Sequence, residues 1–90
     1  MSKSLLQDER KCFVTGYEGA ELDRHHVYAG SRRNASEKYG CWVWLRHDIH
    51  MELHSQNSKL DKMIKRTCQE AFEEKYSHQE FMEVFGKSWL

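Results

Sequence analysis

Five of the six histidines fall in two short segments, Asp23-Arg24-His25-His26-Val27 and His47-Asp48-Ile49-His50-Met51-Glu52-Leu53-His54. Imidazole is the commonest metal ligand and the usual general base near neutral pH, so such clustering calls for a chemical explanation. His50 and His54 stand four residues apart, which on a helix puts both on one face. Three imidazoles around a divalent ion leave positions open to water or substrate, an arrangement suited to catalysis rather than to a closed structural site. A fourth histidine beside them is free to take a proton from the attacking water, the division of labour that phosphodiester hydrolysis requires. Taken singly, each histidine pair also reads as an exposed polar dipeptide. Taken together, with Trp42-Val43-Trp44-Leu45 between them, they favour one site.

The elements that must position these residues follow from local pattern. Residues 12–16 read as a brief strand entering a turn around Gly16 and Gly19, and residues 22–29 are β-compatible. Residues 30–36 read as a polar loop, and residues 41–45 as the clearest strand, an apolar aromatic and β-branched run after Gly40. From His47 the pattern turns helical. Ser58 with Asp61 resembles an N-cap followed by an acidic first turn. Leu60, Ile64, Cys68, Phe72 and Tyr76 form an i, i+4 stripe flanked by Met63, Thr67 and Ala71, the mark of an amphipathic helix. Ser77-His78-Gln79-Glu80 fits a capping box opening a last helix with Phe81, Met82, Val84 and Phe85, and Gly86 fits its C-terminal stop. Trp42 and Trp44 share a strand face and read as core. Lys59, Lys62, Lys65 and Arg66 lie among acidic residues and read as a solvated helix face.

Composition bounds the reading. Ninety residues with 39% hydrophobic and 12% aromatic content suit a single domain with a modest core. The formal charge is zero with histidine neutral, so no bulk field advertises nucleic acid or membrane. Arg24, Arg32, Arg33, Lys38 and Arg46 nevertheless gather around the histidines, as a phosphate-facing patch or as ordinary loop charge. No signal peptide and no span of ~20 apolar residues is visible, so no membrane partner is expected. Cys12, Cys41 and Cys68 are three widely spaced cysteines, an odd count without a CxxC pair. That argues against a disulfide framework and for a reducing, cytoplasmic setting. Cys12 and Cys68 read as small buried hydrophobes; a zinc site joining Cys12, Cys41 and His47 is the lesser alternative.

The segments 22–27, Gly40-Cys41-Trp42-Val43-Trp44-Leu45 and 50–54 resemble the HNH endonuclease family, the ββα-metal or His-Me finger nucleases, and among them small phage-type proteins. The resemblance spans residues 12–55, about half of the chain. It implies an α+β fold, a single domain over 1–90 with a ββα-metal core at 12–55 and additional C-terminal helices at 58–86. It implies a metal-dependent DNA endonuclease or nickase with His26 as general base and His25, His50 and His54 as ligands of one divalent ion, whether zinc, magnesium, manganese or nickel. Asp23 then falls where an acidic residue orients a ligand, and Arg24, Arg32, Arg33 and His47 become candidates for contacting nucleic acid. The chain departs from the family at Cys41, which stands nine residues before His50 where an Asn usually braces the loop behind the base. It also lacks the paired CxxC knuckles of many relatives. Expected partners are DNA with low sequence specificity, and a second copy of the chain or a larger phage or bacterial protein inside a bacterial host. The alternative is a non-catalytic DNA- or protein-binding module that keeps the fold, with or without a structural zinc.

Overall fold

A computed structural model describes residues 3–90 as an α+β fold, a two-stranded antiparallel sheet with four α-helices. Strand β1 (Leu22–His26) is followed by a 3-10 turn at Gly30–Arg32 and helix α1 (Arg33–Tyr39). Strand β2 (Trp42–Arg46) runs directly into α2 (His47–Ser55), and α3 (Ser58–Lys75) and α4 (His78–Phe85) complete the order. No helix is long and apolar enough to cross a membrane among the described residues.

The hairpin register pairs Asp23 with Leu45, Arg24 with Trp44, His25 with Val43 and His26 with Trp42. Side chains alternate across a strand. Val43, Leu45 and His25 therefore face the helices, while Trp42, Trp44, Arg24 and His26 take the other face. The buried core gathers Val43 and Leu45 with Leu53, Ile64, Cys68, Phe72, Phe81 and Phe85, so the i, i+4 stripe of α3 is the wall on which the hairpin rests. Tyr76 lies beyond the last turn of α3 and is exposed. Both strand tryptophans read as core, and Trp44 is half-buried and packs against this cluster. Trp42 is buried beneath the Arg24 guanidinium, 3.7 Å above its ring, on the opposite sheet face.

Residues 12–16 are not a strand. Gly16 N–H donates to the Cys12 carbonyl and Cys12 N–H to Tyr17, closing a tight turn, and only Phe13 N–H reaches β2, at the Trp44 carbonyl. With Ser4 donating to the Trp42 carbonyl and Trp44 N–H to the Gln7 amide oxygen, this segment covers the free edge of β2 without adding a strand. Strand β1 is shorter than the apolar pattern suggests: it stops at His26, where Val27 and Tyr28 turn into the core.

The segment expected as a polar loop is instead the 3-10 turn and α1. Residues 33–39 contain adequate helix formers, and Gly40 closes the helix at φ 76°, a left-handed conformation that suits glycine. The cap of α3 is Asn57, not Ser58, because the longer Asn side chain accepts from Leu60 N–H at 3.0 Å. Ser77 caps α4 as its sequence indicates, accepting from Glu80 N–H, and Gly86 ends it at φ 76°.

Candidate metal centre

Strand β1 and helix α2 bring three of the proposed ligands together. The ligating nitrogens of His25, His50 and His54 all lie within 4.8 Å of one another. His50 Nε2 and His54 Nε2 are 3.1 Å apart. Two nitrogens bound at zinc distances on a tetrahedral centre would stand about 3.3 Å apart, so this pair nearly matches coordination spacing. The His25 ring meets those of His50 and His54 edge-on, the latter two are tilted to each other, and the centroids lie 4.8–5.5 Å apart.

His25 is only 4% exposed, and its Nε2 is buried without a hydrogen-bond partner. Burial first, and then the charges of His50 and His54, push its pKa down to about 4. A buried imidazole held neutral with an unshared lone pair is what a divalent ion requires of a ligand, and the orphaned nitrogen gives the ion a physical reason to be there. The three histidines fit a metal, and among the described residues no fourth protein ligand joins them.

Asp23 fixes the orientation of this set. Its Oδ2 lies 2.9 Å from His50 Nδ1 and 2.7 Å from His47 Nδ1. A carboxylate can only accept, so both rings carry their proton on Nδ1, which leaves His50 Nε2 with its lone pair turned to the ligand cluster. The His50 hydrogen bond foremost, with that of His47, holds the Asp23 carboxyl below its ordinary range. His47 is thereby a first-turn residue of α2 whose ring is 61% exposed, outside the ligand cluster. The alternative of Cys12, Cys41 and His47 does not gather into a metal-holding group among the described residues.

His26 occupies the last position of β1, on the face opposite His25. Both nevertheless line one shallow cleft of about 210 Å³, together with His50, His54, Arg24 and Arg33. Its Nε2 lies 3.0 Å from Glu37 Oε1, and by the same reasoning the proton sits on Nε2 and the lone pair on Nδ1. Glu37 comes from α1, whose first residues fall in the expected polar loop, and is not among the expected site residues. A carboxylate four residues after Arg33 on one helix face was the available signal.

Arg24 Nη1 donates to the same Glu37 oxygen at 2.8 Å while its guanidinium covers Trp42. Arg33 is exposed at the start of α1 and borders the cleft. Arg32 leaves it, donating to the Val84 carbonyl at the end of α4.

Cys41 does not stand beside His26. Its side chain is fully buried in the core, and a hydrogen bond with it, together with burial, pushes the Cys68 thiol above its ordinary range. All three cysteines are free thiols. The loop behind His26 is braced instead by Ser36, whose hydroxyl accepts from Tyr28 N–H and donates to the Tyr28 carbonyl. Cys41 contributes only its backbone, its carbonyl accepting from Val27 N–H. Ser36 is the second residue that sequence reasoning missed, since a serine in an apparent polar loop carries no signal of its own.

No protein-family model, curated protein or solved structure matches this chain.

Proposed function

We propose that this protein is a metal-dependent nuclease of the ββα-metal kind that hydrolyses phosphodiester bonds in DNA. The observation that carries the reading is the convergence of His25, His50 and His54 in a cleft that His26 also lines. Three imidazoles and, among the described residues, no fourth protein ligand leave room for substrate, which favours catalysis over a closed structural zinc. A divalent ion bound there would supply Lewis-acid stabilisation to the oxygen that leaves phosphorus. Nitrogen ligands suit zinc, nickel or manganese, and magnesium remains a candidate through bound waters.

The chain's own residues account for the remaining steps. Glu37 holds the proton of His26 on Nε2, so Nδ1 removes a proton from water as the water oxygen bonds to phosphorus. The P–O bond on the far side breaks, and the leaving oxygen takes up a proton from solvent. Arg33 supplies charge for a phosphate oxygen, and Arg24 does so when phosphate draws it from Glu37. Arg24 and His26 share the Glu37 oxygen, so phosphate that draws Arg24 away removes one competitor for the carboxylate that orients His26.

Supercoiled plasmid incubated with the protein and each of the four metals tests the reading. Wild type is expected to nick the plasmid, and His26→Ala to lose about 10²–10⁴ in rate while keeping its metal affinity. A wild type that binds zinc but nicks nothing under any metal overturns the nuclease and leaves the binding module.

A further inference from the structure

A second cleft of about 220 Å³ adjoins the histidine cleft, and Ala29 lines both. Arg32, Lys65 and Lys87 bring three cations to it, and no carboxylate lines it. Of the three aromatic side chains that line it, Tyr28 and Phe85 are buried and Trp89 is half-buried, with Lys65 Nζ 4.5 Å and Lys87 Nζ 4.2 Å from its ring centroid.

The segment that carries Trp89 is deliberately held. Gln69 of α3 is fully buried, and its amide oxygen accepts from Trp89 N–H at 2.6 Å while its Nε2 donates to Ser88 Oγ at 3.0 Å. A buried amide spends its hydrogen bonds on placing these residues, and Arg32 Nη1 donates to the Val84 carbonyl from the other side. Arg32 is thus anchored on the wall of this cleft.

We infer that this cleft is a nucleotide subsite for the strand flanking the bond to be cut. Backbone phosphate lies among Arg32, Lys65 and Lys87, and a base stacks on Trp89 as phosphate draws Lys87 off the ring. The inference rests on the nuclease reading for the identity of its occupant, but not on cleavage. Charge complementarity and continuity with the histidine cleft favour a nucleic-acid strand, since cations beside a partly exposed aromatic ring are a common means of holding single strands. Lys65 is also paired with Asp61 at 2.8 Å, so Lys87 and Arg32 carry more of the phosphate contact.

Binding is measured on the full chain in chelator, where no cleavage occurs, by fluorescence anisotropy of a labelled single-stranded DNA oligonucleotide. An abasic strand of equal length and charge is the second probe. Trp89→Ala is expected to weaken the intact strand about tenfold and to leave the abasic strand unchanged, and Trp89→Phe to restore most of the loss. Lys87→Gln is expected to weaken both strands and to reduce the slope of log affinity against log salt by about 0.7. Circular dichroism melting confirms that each variant is folded.

Equal affinity of wild type and Trp89→Ala for the intact strand overturns the subsite, as does a wild type that binds neither strand. Equal losses on both strands overturn the stacking contact. If wild type cuts plasmid while Trp89 and Lys87 prove irrelevant, the nuclease reading survives and the subsite falls. If wild type cuts nothing but loses the intact strand on Trp89→Ala, the subsite stands on a binding module.

Discussion

Two carboxylates do for the histidines what the histidines cannot do for themselves. A neutral imidazole has two tautomers of similar energy, and only a fixed partner decides which nitrogen keeps its lone pair. Asp23 settles this for His50, and Glu37 for His26. Each leads to an expected outcome. Asp23→Ala should lower metal affinity about 10- to 100-fold in titration calorimetry, with the fold intact by circular dichroism. Glu37→Ala should leave metal affinity unchanged and lower kcat about tenfold or more, with little change in KM. The ring ¹⁵N spectrum of His26 should then lose its single Nε2–H tautomer, a change that a purely structural role for Glu37 would not produce.

The hairpin and the helix between its strands have separate duties at the scale of elements. Strand β1 ends at His26 because Val27 and Tyr28 turn into the core, and the turn is pinned by Ser36 of α1. Helix α1 thus supplies both the brace behind the base and, one residue on, the carboxylate that orients it. Ser36→Ala should destabilise the protein by about 2 kcal/mol in urea unfolding, because two buried backbone groups lose their partner. Nuclease activity should fall more than His26 packing alone would require, since the base loses its backing. Cys41→Asn should not substitute for Ser36. Position 41 is fully buried among core side chains and does not face His26.

The whole molecule carries the cost of a buried neutral histidine. The His25 pKa of about 4 lies below the value of ~6.5 expected in the unfolded chain. Between those values the unfolded chain binds more protons, so stability rises with pH across the window and levels off above it. As pH falls from ~6.5 toward 4, the metal-free protein should lose roughly 3 kcal/mol of stability. Urea unfolding at several pH values checks this, and His25→Leu should flatten the dependence. A bound divalent ion competes with that proton, so saturating zinc should raise the Tm and move the loss of stability to lower pH. The four-helix side of the molecule is otherwise uncommitted. Phe81 and Phe85 are buried in the core and are not exposed for a partner, whereas Trp89 remains half-exposed beside the cationic cleft.

The histidine cluster was legible in the chain because metal chemistry admits few residue types and a helix imposes a spacing of four on His50 and His54. The stripe of α3 and the caps at Ser77 and Gly86 were legible for the same reason: local periodicity and backbone chemistry write them directly. Tertiary structure decided what depends on residues distant in sequence. It made α1 a helix and thereby turned Ser36 from a loop residue into the brace behind His26, and brought Glu37 to the His26 ring. It moved Cys41 from the base to the core, and drew Arg32 from the histidine cleft to the neighbouring one. Those roles follow from which surfaces meet when the hairpin packs on α3, and no local pattern encodes that meeting.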